Sequence, residues 1–241
     1  MKNQYVGDIG DYGKYSLLRF FSEAGVKIGI NWYLIDGDKT NDGKFTSYLE
    51  KPEKYEQYDP LVFLKLKDIA SEEDKCVHDV QESGILPGAV YYPNPLRPQG
   101  LPAVRKVQRI SWFDNSLSVL KDAELIFLDP DNGLLLRNES ARRNAEKYAL
   151  PDEIIQYYKT DHNVVYYCHK GRRKQEQWIA YKRHMFDLVP SARPIILTYH
   201  KGTQRSYVFL IHENDYRNYR SIISDVLIRW KTVFEEENIF S

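Results

Sequence analysis

Leu125-Ile126-Phe127-Leu128-Asp129-Pro130-Asp131-Asn132-Gly133 is the stretch on which the reading of the chain turns. Four large apolar residues closed by turn-forming residues make a short buried strand. Pro130 fixes its own φ and carries no N–H, so the chain must leave the strand there and the neighbouring carbonyls remain open to other donors. Asp129, Asp131 and Asn132 surround that turn with side-chain oxygens. In open α/β sheets the carboxyl ends of strands are where ligands bind. The turn either aims its oxygens at an amino group, with Asp129, Pro130, Asp131 and Asn132 as the reacting centre, or simply connects strand to loop.

The same pattern recurs on both sides. Downstream, Asn163 to Cys168 (NVVYYC) is a second buried strand, closed by His169-Lys170-Gly171-Arg172-Arg173. Pro194 to Tyr199 and Ser206 to Ile211 flank His200-Lys201-Gly202 and predict a hairpin. Upstream, Val26 to Ile35 is an apolar run ending in Asp36-Gly37-Asp38, and Ala89 to Tyr92 is a short strand. Helices are expected from Asp11, as N-cap, to Gly25; from Asp59-Pro60 onward; over 71–83; over 105–120; from Pro151; over 174–188; and over 215–234. Strands alternating with helices predict one α/β domain over 1–241, with a mostly parallel sheet, helices on both faces and a C-terminal antiparallel hairpin. Three polar strand ends, at Asp36, Asp129 and His169, are then expected to meet on one rim.

Composition narrows the function. The 241 residues are 42% hydrophobic, with 34 Lys and Arg against 34 Asp and Glu. Zero net charge disfavours a whole-surface grip on nucleic acid but permits a local patch. Lys170, Arg172, Arg173 and Lys174, with Arg137, Arg142 and Arg143, are the candidates for such a patch toward DNA or RNA. Two cysteines, Cys76 and Cys168, cannot frame a disulfide scaffold and are read as core thiols of a cytoplasmic protein. No apolar run approaches a membrane span, Met1 to Tyr5 lacks a signal-peptide core, and the histidines show no metal-ligand spacing. His169 is a candidate general base, and Lys170, Arg172 and Arg173 are candidate substrate contacts. Asp36 is suited to accepting from ribose hydroxyls or an amino group. The polar stretch through Asp8, Asp11, Tyr12 and Lys14 precedes a helix whose N-terminus is suited to an anion.

Two resemblances are carried by these motifs. NQYVGDIGDYGKYSLLRFF, LIFLDPDNGL and VVYYCHKGR stand in the same order as in a bacterial family with no established activity. The layout also resembles class I S-adenosylmethionine-dependent methyltransferases that modify exocyclic amines, such as the ribosomal-RNA adenine-N6 enzymes, and the three-Cys-motif partner proteins. In the former a strand ends in an Asp-Pro-Pro-Tyr type motif, a closing antiparallel hairpin follows, and an Asn-x-x-Asp-x-x-Lys segment precedes the first strand. Ile9-Gly10-Asp11-Tyr12-Gly13-Lys14-Tyr15 is similar to that segment. The resemblance implies a methyl-acceptor amine against Asp129 and the Pro130 carbonyl. It implies S-adenosylmethionine near Asp36, Gly37, Asp38, Asp11, Tyr12 and Lys14. Asp131 and Asn132 depart from the second proline and the aromatic, and Asp-Gly-Asp-Lys replaces the Gly-x-Gly loop after the first strand.

Two other classes stand beside it. Asp129-x-Asp131 is similar to the carboxylate pair of Mg²⁺-dependent phosphohydrolases, with Asp36 and Asp38 as further metal oxygens. Nineteen tyrosines and an altered glycine loop also suit a non-catalytic partner of another protein.

Overall fold

The computed structural model describes residues 1–37 and 45–240. Helix α1 (Ile9–Glu23) is capped by Asp8, whose Oδ1 accepts from the Gly10 N–H at 2.7 Å. The cap is therefore three residues earlier than the sequence reading placed it, because the Asp11 side chain turns inward. Gly25, at φ +86°, releases the chain after the helix. Strand β1 (Ile28–Asn31) is much shorter than the apolar run that contains it. Tyr33 has φ +44°, a left-handed conformation, and its N–H donates to Asn31 Oδ1 at 3.1 Å, which turns the chain out of the sheet.

Helix α2 (Pro52–Tyr55) is a single turn, and α3 (Pro60–Ala70) starts at the expected Asp59 cap. Only α4 (Val77–Glu82) forms within the predicted 71–83 helix. Strand β2 (Val90–Tyr92), α5 (Pro102–Leu120), β3 (Leu125–Leu128), α6 (Pro151–Lys159), β4 (Asn163–His169) and α7 (Gln175–Leu188) follow. Strands β5 (Arg193–Tyr199) and β6 (Arg205–Ile211) make the expected hairpin. Helix α8 (Glu213–Arg229) ends short of the expected Phe234, and the chain returns as strand β7 (Phe234–Glu236), for which the sequence carries no strand signal.

The sheet order is β2-β1-β3-β4-β6-β5-β7. Strands β2, β1, β3 and β4 pair in parallel, whereas β4–β6, β6–β5 and β5–β7 are antiparallel. The sheet is thus mixed: the expected parallel pairing holds from β2 to β4, and the remaining pairs are antiparallel. The hairpin inserts β6 between β4 and β5, and β7 adds a second reversed strand at the edge. Strands β2, β1, β3, β4 and β5 still deliver their carboxyl ends to one side.

Alternate side chains feed two cores. Ile28, Ile30, Leu125, Phe127, Val165 and Phe209 pack under α1, α3 and α8, while Ile126, Leu128, Val164, Tyr166 and Val208 pack under α5, α6 and α7. A buried ion pair joins the helices of the second face: Arg109 Nε and Nη2 donate to Glu153 at 2.7 and 2.9 Å, and the Tyr33 hydroxyl donates to the same carboxylate at 3.0 Å. No helix among the described residues is long and apolar enough to cross a membrane.

The turn after β3 depends on glycine. Gly133 has φ +85°, and a Cβ there would lie 2.8 Å from the Tyr181 hydroxyl and 2.9 Å from Cys168 Cβ. Gly133→Ala is expected to cost roughly 2–4 kcal/mol in urea unfolding, from strain plus overpacking. A loss below about 0.5 kcal/mol, the size of an ordinary surface change, would contradict this packing.

Candidate active site

A cavity of about 670 Å³ opens where the start of α1, the turns after β3 and β4 and the β5–β6 turn come together. At its floor Lys14, one turn into α1, reaches Asp129 Oδ2 at 2.6 Å and Asp11 Oδ1 at 2.7 Å. Asp11 also accepts from the Gly7 N–H at 3.1 Å. All three side chains are buried. Burial works against the Lys14 ammonium, but the carboxylates of Asp11 and Asp129 outweigh it and hold the proton more tightly than usual. Burial raises the Asp11 carboxyl from 3.8 to about 6, opposed by Lys14 and reinforced by the Asp129 charge. Asp8, Asp11 and Lys14 recur every three residues, so the cap and the first two turns of α1 present all three to the same side.

The Met1 nitrogen lies in the same floor. It donates to the Asp129 carbonyl at 2.7 Å and to the Tyr33 carbonyl at 3.2 Å, bridging the ends of β3 and β1. Burial lowers this amine from 8.0 to about 6, although Asp129 and Asp131 favour its charged form. Lys2 sits 3.4 Å from Asp131 and also donates to the Tyr5 hydroxyl at 3.1 Å. Neither contact is legible in sequence, since no local pattern ties residues 1–2 to a turn far along the chain.

The opposite wall comes from β4 and β6. Arg205 lies 3.6 Å from Asp8 and over the Tyr167 ring. Tyr207 is fully buried and lines the cavity, yet its hydroxyl has no hydrogen-bond partner among the described residues. His169 and Arg172 complete the wall. Burial, with Arg173 nearby, lowers the proton affinity of His169, which favours the neutral ring. Arg205, Tyr167 and Tyr207 carry no motif and are found only by the pairing of β4 with β6.

The structure brings together Asp129, Pro130, Asp131, Asn132, Asp11, Lys14, His169 and Arg172. It separates the others. Tyr12 is packed among Tyr48, Phe63 and Trp230, and its hydroxyl donates to the Tyr55 carbonyl at 2.6 Å. Asp36 is exposed and paired with Arg97 at 2.5 Å, away from the cavity. Gly37 lies beside Gln4 rather than in the cavity, and Asp38 falls outside the described residues. The expected meeting of three strand ends is therefore corrected: the β3 and β4 ends meet, and α1 replaces the loop after β1. Lys170 bonds Gln175 at 2.8 Å on the surface, and Arg173 stacks on Tyr181 at 4.1 Å. Arg137 and Arg142 are each within 4 Å of Glu139, at 3.9 and 3.8 Å, which weakens that half of the basic patch.

Chemically, the cavity balances Asp8, Asp11, Asp129 and Asp131 against Arg205, Lys14 and Lys2. Among the described residues no three His, Cys, Asp or Glu side chains are arranged to hold a metal ion. The Asp129 carboxylate of the phosphohydrolase reading is engaged by Lys14, and Asp131 by Lys2.

No protein-family model matches the sequence, and no curated protein is similar to it. Among solved structures the chain is similar to protein LPL1258 from Legionella pneumophila str. Philadelphia 1, described under the family model DUF519. The identity is 10%, the TM-score is 0.51, and 96% of each chain is covered. At that identity the likeness concerns the fold alone.

Asp11 gives the site a pH signature. Its folded-state value of about 6 exceeds the ordinary 3.8, so between those limits the folded state holds a proton that the unfolded chain has released. Its contribution to stability is present at the acid end and is lost as pH rises through about 6. Urea unfolding should show wild-type protein losing roughly 2–3 kcal/mol relative to Asp11→Asn across that interval. Parallel pH profiles for the two proteins would contradict this.

Proposed function

We propose that the protein is an S-adenosylmethionine-dependent methyltransferase acting on an amine. The observation that supports the reading is the Asp129 carbonyl at the cavity floor: it accepts from the Met1 nitrogen at 2.7 Å, so the turn after β3 presents an acceptor to a nitrogen donor. The reversed strand β6 between β4 and β5, beside that turn, is the arrangement the methyltransferase resemblance implies.

The donor set suits the cofactor at one end. Asp8 and Asp11 supply carboxylates for a cationic amino-acid moiety, Arg205 supplies a guanidinium for its carboxylate, and the unpartnered Tyr207 hydroxyl awaits a hydrogen-bonding group. The turn after β1 offers no comparable seat. Trp32 and Tyr33 are buried in opposite cores, and the Tyr33 carbonyl is occupied. The cofactor is thus assigned to the start of α1 and the cavity walls rather than to Asp36 and Gly37. When bound, it supplies an electrophilic methyl group.

This chain's own residues prepare the acceptor. The Asp129 carbonyl takes one N–H of the amine and orients its lone pair away from the turn. Lys14 fixes the Asp129 carboxylate through its 2.6 Å contact, so the turn does not collapse into the cavity. His169, kept neutral by burial, takes up the proton that the amine loses on alkylation. Asn132 stands where an aromatic would stack on a base, so stacking falls to another ring or is not used. Arg172 on the wall, with half-buried Lys170 and exposed Lys174 beside it, is suited to the phosphates of a DNA or RNA acceptor.

Calorimetry with S-adenosylmethionine and S-adenosylhomocysteine tests the reading. We expect micromolar binding, weakened about tenfold by Tyr207→Phe, which removes a hydroxyl that no group among the described residues uses. Tyr207→Phe should leave thermal stability unchanged, and Asp36→Ala should leave binding unchanged. Absence of binding by a folded sample, or loss of binding in Asp36→Ala alone, would overturn the assignment.

A further inference from the structure

We propose that Gly10 decides what the cavity accepts. It lets the Arg205 guanidinium lie against α1, and the guanidinium held there, with Asp8 and Asp11 beside it, selects ligands that carry an α-amino acid zwitterion, free or as the end of a larger molecule. This specificity rests on the cofactor reading above and narrows it. Two glycines one turn apart make the seat. A Cβ at Gly10 would lie 1.0 Å from Arg205 Nη1, and a Cβ at Gly13 would lie 2.5 Å from the Tyr199 ring. Arg205 and Tyr199 are register partners on β6 and β5, so the bare face of α1 rests on one cross-strand pair. The Tyr199 hydroxyl donates to the Ile9 carbonyl at 3.0 Å and fixes that approach. Gly202 closes the other side, where a Cβ would lie 3.5 Å from Arg205 Nη2.

The guanidinium is held but not satisfied. Arg205 is 8% exposed. Its Nε donates to the Thr203 carbonyl at 3.2 Å and its Nη2 to Thr203 Oγ1 at 3.3 Å, whereas Nη1 has no acceptor among the described residues. Two places along β6, on the same face of the strand, the buried Tyr207 hydroxyl is also without a partner among them, and both residues line the cavity. Unused donors at a buried cation call for an oxyanion. Asp8, 3.6 Å from Arg205, and Asp11 line the same cavity. Their carboxylates repel a phosphate dianion and favour a cation next to the bound oxyanion. A carboxylate with an ammonium on the neighbouring carbon meets both demands.

Gly10→Ala tests the seat without removing a charge. Gly10 is helical with no positive φ, alanine favours a helix, and what must move is the end of a flexible side chain. Calorimetry compares S-adenosylhomocysteine with 5′-methylthioadenosine, which lacks the amino-acid end, and L-methionine with L-methioninol, which lacks the carboxylate. Wild-type protein should bind S-adenosylhomocysteine about thirtyfold more tightly than 5′-methylthioadenosine, and L-methionine but not L-methioninol. Gly10→Ala should erase the preference for S-adenosylhomocysteine, leave 5′-methylthioadenosine unchanged and abolish L-methionine binding. Arg205→Gln should act in the same way and covers the case in which Gly10→Ala does not fold. Parallel loss of both adenosyl ligands in the variants would overturn the selection, because it marks a role in folding alone. The two readings separate cleanly. L-Methionine binding that Gly10→Ala abolishes, with neither adenosyl compound bound, keeps the seat and removes the methyltransferase. Binding of S-adenosylhomocysteine that is indifferent to both substitutions does the reverse. Absence of all binding by folded protein removes both.

Discussion

One buried cation holds this site open. Lys14 stands between Asp11 and Asp129, joining the first helix to the end of the third strand across more than a hundred residues of chain. Without it two carboxylates would face each other out of water, a situation proteins avoid by protonation or rearrangement. With it, the helix start is fixed against the strand end, and everything else at the rim is placed relative to that pair. Asp8 meets Arg205, Lys2 meets Asp131, and the Met1 nitrogen reaches the Asp129 carbonyl. Removing one partner of such a set costs far more than the set gains over an apolar substitute, typically about 3–5 kcal/mol. A cluster this costly to assemble, bordering a cavity, is more readily explained by chemistry than by packing.

The mixed sheet makes the cavity possible. Five strands deliver their carboxyl ends to one side, and β6 returns between β4 and β5. That return brings Arg205 and Tyr207 alongside His169 and Tyr167, with Cα registers His169 to Arg205 and Tyr167 to Tyr207. A purely parallel sheet would have placed a helix-bound loop there and left no second wall. The buried Arg109–Glu153 pair and the Tyr33 hydroxyl act at a distance, holding the turn after β1 in its left-handed conformation. That conformation in turn aims the Tyr33 carbonyl at Met1.

Much of the architecture was legible because local signals were strong. LIFL and NVVYYC, each closed by a polar turn, are the strands β3 and β4; Asp59-Pro60 and Pro151 mark helix starts. The turn at Asp129 and the Asp11–Lys14 spacing were visible as well. What failed was decided by tertiary contacts. The run after Ile28 looked like a long strand, but Tyr33 satisfies Asn31 and Glu153 instead of a neighbouring strand. Tyr12 looked like part of a binding segment, yet it sits one residue off the face carrying Asp8, Asp11 and Lys14, and that offset buries it among aromatics. β7 was hidden because Trp230, buried at the end of α8, redirects the chain to the sheet edge. Met1, Lys2 and Arg205 reached the site through long-range pairings that no local periodicity records.

The central claim is that the cavity beside Asp129 is a cofactor pocket whose turn after β3 receives an acceptor amine. A crystal structure of the protein with S-adenosylhomocysteine tests it most directly. The account predicts the ligand in the cavity between Asp8 and Tyr207, with the Tyr207 hydroxyl now hydrogen-bonded. A ligand seated instead beside Asp36 and Arg97, with the cavity unchanged, would contradict it.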